Sequence, residues 1–266
     1  MPKIDPYCPF TINLGPQYVE RVFDSLLTKQ GVKEVVLMST RDRLEQYLQY
    51  LHRKAHNGNL RRYIFIQFYI AHFSQQLAGQ PGQQEYSRHL REKAICHYES
   101  YLELADDAAE SRFYAQWQIA LLQDELEYPW SQTESSLLRA TTFDPSRGEP
   151  LKKLIDHYSR EKAWKTAYSL SSLAMRNYFD KHPAATRRWY VDFAAYNWKL
   201  IHTHLYTSHK SGHVEEAEHA YQQLLGYACR YPDELTNADV HLIHCLEKIL
   251  YEQKIDMNIV TAQTAR

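Results

Sequence analysis

The sequence predicts an all-α chain built from paired helices. Three observations carry this. Only eight glycines occur in 266 residues, too few for a chain rich in tight β-turns. From residue 60 onward the apolar residues recur at helical spacing, in segments mostly 12–23 residues long joined by short polar or proline-bearing turns. Trp130 and Trp164 open two such segments 34 residues apart.

Residues 1–59 form a separate amino-terminal segment. QYVERVFDSLLTKQG reads as a helix, and VKEVVLMST (32–40) is the one strand-like run in the chain. RDRLEQYLQYLHRKAHNGN then returns to helical spacing, with Leu44, Tyr47, Leu48 and Leu51 on one face. Residues 60–266 are helical in pattern. NLRRYIFIQFYIAHFSQQLA ends at the loop GQPGQQ, where Gly and Pro break the periodicity. EYSRHLREKAICHYESYLELADD and SRFYAQWQIALLQDELEYP follow, then WSQTESSLLRATTFDP, GEPLKKLIDHYSREK and AWKTAYSLSSLAMRNYFDKHP. WYVDFAAYNWKLIHTHLYTSHKSG (189–212) reads as one long helix, followed by VEEAEHAYQQLLGYACRYP and NADVHLIHCLEKILYEQK.

Alignment on the two tryptophans places Thr133 on Ala167, Leu137 on Ser171 and Ala140 on Ala174. Ala94, Tyr98 and Tyr101 fit the same frame, as do Ala217, Tyr221 and Leu224. A small residue lets the second helix of a hairpin approach the first, and the residue four positions on fills the seam. Pro145 and Gly212 sit where the chain turns between helices, since proline cannot continue a helix and glycine relieves backbone strain. A 34-residue period is that of tetratricopeptide repeats. The small-residue slots are spaced 39, 34 and 50 residues apart, so the units differ in length. The fold expected is a tetratricopeptide-like helix-hairpin solenoid; an irregular helical bundle is the alternative.

Three segments carry a resemblance to a known family: EKAICHYESYLELADDAAESRFYAQWQIALL (92–122), PWSQTESSLLRATTFDPSRGEPLKKLIDHYSREKAWKTAYSLSSLAM (129–175) and SGHVEEAEHAYQQLL (211–225). Together they make residues 88–228 similar to the tetratricopeptide-like region found carboxy-terminal to the catalytic domain of family-2-type glycosyltransferases. Such an enzyme carries a nucleotide-sugar domain of some 200 residues with a DxD-like motif. Only about 60 residues precede the repeats here, with no DxD among them, so no catalytic residue carries over. The resemblance implies an accessory module, freestanding or part of a longer enzyme.

Composition narrows the function. Lys plus Arg total 31 against 32 Asp plus Glu, without the basic excess of a strong nucleic-acid binder. The longest apolar run, YIFIQFYIAHF (63–73), is too short to span a bilayer and contains Gln67 and His72. The first residues lack the charged and apolar regions of a secretion signal. The four cysteines have no metal-binding spacing and are expected reduced, in a cytoplasmic protein.

Solenoids of helix pairs line their concave face with the first helix of each pair. In this register that face carries Tyr114, Trp117 and Asp124, then Glu149, Lys152, Asp156 and Ser159, then Lys199, His202, Tyr206 and His209. A groove mixing aromatic and charged residues suits a peptide or a carbohydrate; a solvated helix face is the alternative for the same residues. In HTHLYTSHKSGH (202–213), His202 and His209 are about 10 Å apart along a helix, too far to share a metal ion, and Gly212 separates His209 from His213. Cys245 lies on an apolar stripe with Leu242, Leu246 and Ile249 and reads as core rather than as a partner of His241 or His244. The expectation is a non-enzymatic scaffold that binds a peptide or partner protein, linked through the resemblance to glycan biosynthesis, without cofactor or metal. Two alternatives remain: a degenerate or fragmentary glycosyltransferase relative that binds a nucleotide sugar, and a self-assembling homo-oligomer.

Overall fold

A computed structural model describes residues 60–80, 84–105, 109–179 and 191–232, with residues 42, 235, 236, 239 and 243. The strand-like run 32–40 and most of the last helical segment, including Cys245, lie outside them. Among the described residues there are eight α-helices, one 3-10 turn and no strand. They are α1 (Leu60–Ala78), α2 (Gln84–Leu104), α3 (Ala109–Glu125), α4 (Trp130–Phe143), α5 (Glu149–Arg160), α6 (Trp164–Tyr178), α7 (Trp198–Lys210) and α8 (Val214–Arg230), with the 3-10 turn at Phe193–Ala195. The chain divides into two compact units at Ser136/Leu137, within α4.

In the first unit α1 packs on α2 and α2 on α3. The centre is aromatic: Phe68 meets Tyr98, Tyr101 and Tyr114 at ring-centroid distances of 5.6, 5.1 and 5.7 Å, all with tilted or edge geometry. Such pairs add roughly 0.5–1.5 kcal/mol each beyond their buried area. α3 is buried nearly all round, with Gln116, Gln118 and Gln123 among its inward side chains. Polar links tie the helices, including Gln75 Nε2 to Gln118 Oε1 (2.5 Å) and Arg91 to Glu125 (2.7 Å).

In the second unit α5 packs on α6, α6 on α7 and α7 on α8, and the 3-10 turn touches α5 and α7. Trp198, Ile201 and Leu205 of α7 form the core with Ala217, Ala220, Tyr221 and Leu224 of α8. The predicted long helix over 189–212 is in fact interrupted, because two side chains cap within it. Asp192 accepts from the Ala194 amide (2.9 Å), and Asn197 accepts from the Lys199 amide (3.1 Å) and starts α7.

The aligned triplets are all buried: Ala94, Tyr98, Tyr101; Thr133, Leu137, Ala140; Ala167, Ser171, Ala174; and Ala217, Tyr221, Leu224. The turns that precede three of these helices share one geometry. After α5, Lys162 has φ 58° and donates to the Ser159 carbonyl, while Ala163 donates to Tyr158. After α7, Gly212 has φ 87° and donates to His209, while His213 donates to Ser208. After α3, Glu127 has φ 57° and donates to Asp124, while Tyr128 donates to Gln123. Each is a Schellman cap with its left-handed residue just past the helix end. Gly212 therefore ends α7 and separates His209 from His213, as the sequence predicts.

Candidate functional site

The loop between α4 and α5 is a buried polar knot. Arg147 and Glu149 are each 1% exposed and paired, with Nη2 donating at 2.9 Å and Nε at 3.1 Å to the Glu149 carboxylate. Tyr196 Oη donates to Glu149 Oε2 (2.7 Å) and accepts from the Gly148 amide (2.8 Å). Burial, and then the Glu149 charge, push the Tyr196 phenol well above its usual pKa, so it stays a donor. Gly148 lies against Tyr178, where a Cβ would come 3.0 Å from the ring. Pro150 fits the first turn of α5, whose amides need no helical partner. This cluster shapes the loop and offers no surface to a ligand.

The predicted groove residues separate into two sets. Tyr114, Trp117, Glu149 and His209 are buried, so these four side chains serve the core instead of lining a surface. Tyr114 Oη lies 3.3 Å from His72 Nδ1. Asp124 and Ser159 are half-buried on the ends of α3 and α5. The remaining residues lie on α5 and α7 in the second unit. Lys152 Nζ donates to both oxygens of Asp156 at 2.6 and 2.7 Å. His202 is held below its usual pKa first by burial and then by the Lys152 charge, with Asp239 opposing. Lys199 and His202 in turn act on Asp239, whose carboxyl is lowered chiefly by its hydrogen bonds from Thr236. Lys152, Lys199, His202 and Asp239 therefore share one neighbourhood. One turn beyond His202, Tyr206 is exposed, with its ring edge-on to Trp164 at 5.6 Å and Lys210 Nζ 5.7 Å from its centroid.

A second feature, absent from the sequence expectation, is an open depression of about 470 Å³ between α6 and α8. It is lined by Tyr168, Arg176, Phe179, His204, Glu216 and His219, among others. Tyr168 Oη donates to Glu216 Oε1 (2.7 Å), and its ring stacks on His213 at 3.7 Å and 13°. His204 Nδ1 meets Ser171 Oγ at 2.9 Å, and its Nε2 stands 4.0 Å from Glu216 Oε2. Burial holds His204 below its usual pKa against the opposing pull of Glu216, which keeps the ring neutral at pH 7.

Ser171, His204 and Glu216 have the composition of a nucleophile, base and acid but not the arrangement. Ser171 has no exposed surface, and its hydroxyl is engaged with the Tyr168 carbonyl (2.9 Å) and Thr207 Oγ1 (2.7 Å). A substrate cannot reach that oxygen, so it is no hydrolytic nucleophile. Among the described residues no group of three or more His, Cys, Asp or Glu is placed to hold a metal ion, and no helix is long and apolar enough to cross a membrane.

The signal for this second feature lies in the aligned triplets. Three helices place Tyr98, Leu137 or Tyr221 at the seam-filling position, whereas α6 places Ser171 there. A missing large apolar side chain leaves room for the polar contacts of His204 and Thr207. Comparison of the chain with protein-family models gives no match, and comparison with curated proteins gives none.

Proposed function

We propose that this chain is a non-enzymatic interaction scaffold of tetratricopeptide-like architecture, which holds an extended peptide or a partner helix along α5 and α7 of its second unit. The observation that carries the reading is the repetition itself: one Schellman turn recurs before α4, α6 and α8, and the same triplet is buried in α2, α4, α6 and α8. Repeated hairpins present successive first helices to one side, which suits an extended partner. On that side Tyr206 is the aromatic anchor, and Lys152, Lys199 and His202 set register through charge and hydrogen bonding. The link to glycan biosynthesis rests on the sequence resemblance alone.

The test is a photoreactive amino acid at position 206, introduced into the chain in its own cells. A discrete crosslinked partner is expected, and Lys199→Glu should remove the band. With that partner purified, Tyr206→Ala should weaken binding about tenfold or more, as hot-spot aromatics do. A diffuse crosslinking pattern indifferent to Lys199→Glu would overturn the face assignment. A concentration-dependent thermal shift with a nucleotide sugar would favour the enzyme-related alternative instead.

A further inference from the structure

Helix α7 carries no acidic residue; its charged side chains are Lys199 and Lys210, with three histidines between them. Its accessible surface is one stripe. Lys199, Tyr206 and Lys210 are exposed along it and His202 is half-buried, at i, i+7, i+11 and i+3, while most of the remaining residues are buried. Lys210 Nζ stands 5.7 Å from the Tyr206 centroid, so a cation and a ring are presented together. The Tyr206 ring also meets Trp164 edge-on, and Trp164 belongs to the run SREKAWK (159–165). In that run Arg160, Lys162 and Lys165 are exposed against the single acid Glu161. Lys162, Trp164, Tyr206 and Lys210 therefore make one continuous cationic and aromatic patch.

The acids on this face are already engaged. Both oxygens of Asp156 accept from Lys152 Nζ, and Asp239 Oδ2 accepts from the Thr236 amide and hydroxyl. Among the described residues Lys162, Lys165, Lys199 and Lys210 form no ion pair, though Asp239 feels the Lys199 charge. The complement of such a face is negative. The stripe also sets a spacing. At about 1.5 Å per helical residue, Lys199 lies about 10 Å before Tyr206, and Lys210 about 6 Å beyond it. An extended chain advances about 3.3 Å per residue, so these distances match about three and two of its residues. A nucleic-acid strand carries a charge on every nucleotide, whereas this stripe has two lysines about 16 Å apart with a half-buried histidine between them. Sparse charge around an aromatic centre suits a polypeptide better.

We propose that the α5 and α7 face takes an acidic extended segment of a partner protein, with two carboxylates about five residues apart on Lys199 and Lys210 and an apolar side chain between them against Tyr206 and Trp164. The proposal rests on the scaffold reading and adds the partner's chemistry to it. A segment running parallel to α7 has the pattern acid-x-x-apolar-x-acid, and one running antiparallel has acid-x-apolar-x-x-acid.

The test is selection of random dodecapeptides from a display library on the full chain, run in parallel on Tyr206→Ala and Lys210→Glu. Both side chains are exposed, and circular dichroism of each variant checks that the fold is kept. Peptides enriched on the parent but not on Tyr206→Ala should carry one of the two patterns. On Lys210→Glu the acid facing position 210 should give way to Lys or Arg, while the acid facing Lys199 is kept. A selected peptide, once synthesised, should bind Lys210→Glu about tenfold more weakly or worse in fluorescence anisotropy, and its binding to the parent should weaken as salt is raised. Tyr206-dependent peptides with no acidic preference, or with the same preference on Lys210→Glu, would overturn the acidic pattern and leave the scaffold reading standing. Enrichment of no Tyr206-dependent peptide would overturn both. Tighter binding of oligothymidylate than of the selected peptide, lost in Tyr206→Ala, would assign the face to nucleic acid and overturn the proposal.

Discussion

The buried knot at Arg147 gives the sharpest test of how the second unit is held. Glu149→Leu removes the acceptor for two guanidinium nitrogens, for the Tyr196 hydroxyl and for the Asp192 amide at 3.3 Å. The guanidinium then remains 1% exposed without the Glu149 charge beside it. Removing one member of such a pair costs about 3–5 kcal/mol, because the remaining charge is still desolvated. For a unit of this size each kcal/mol corresponds to roughly 3–5 °C in Tm, so the transition of the second unit should fall by about 10–20 °C. Arg147→Met with Glu149→Leu removes both charges together and should recover most of the loss, since a buried pair is often no better than apolar groups of similar volume. Urea unfolding at pH 7, followed by far-ultraviolet circular dichroism, gives both numbers. If Glu149→Leu costs less than about 1 kcal/mol, or if the double variant is no more stable than the single one, the pair is not the desolvated unit described here.

Two further predictions concern backbone and pH. Lys162 occupies the left-handed region where Gly212 stands in the neighbouring turn, so Lys162→Gly should stabilise by up to about 1 kcal/mol in denaturant unfolding. Gly212→Ala should cost about 1–2 kcal/mol on backbone grounds alone, because a Cβ there meets nothing within 4 Å. In the first unit burial lowers His72 to about 4, below its unfolded value of 6.5. The unfolded chain therefore binds the extra proton between these values, and stability is full above pH 6.5 and lost as pH falls toward 4. The loss reaches about 3 kcal/mol at pH 4, and calorimetry should show His72→Gln flattening that slope.

Much of the helical layout is legible in the sequence because it depends on periodicity and on residues with one physical meaning. Pro145, Gly212 and the Gly79–Gly82 loop mark helix ends, and the small residues Ala94, Thr133, Ala167 and Ala217 mark close approach. What stays hidden depends on tertiary context. Glu127 and Lys162 adopt the glycine conformation without being glycine, so the recurrence of the turn has no compositional trace. Tyr114 and Trp117 lie on a first helix and suit a groove by chemistry, yet α3 is enclosed on nearly every side, and no periodicity distinguishes its outer face. Asp192 and Asn197 are ordinary polar residues until their capping bonds divide a continuous helical pattern.

Ser171 shows how one departure from a repeated pattern can turn a structural position into a chemical one. At the seam-filling position a tyrosine or leucine closes the gap between helices by burial alone, which is non-directional and leaves no polar valence open. A serine there closes less volume and adds a hydroxyl that must be satisfied. The chain satisfies it with His204 Nδ1 and Thr207 Oγ1, at 2.9 and 2.7 Å from the Ser171 oxygen. The other ring nitrogen, Nε2, stands 4.0 Å from Glu216 Oε2, while Glu216 Oε1 accepts from the Tyr168 hydroxyl. The fold tolerates the substitution because the neighbouring slots, Ala167 and Ala174, remain small and buried. The same seam that elsewhere only holds two helices together here also sets a histidine beside a carboxylate.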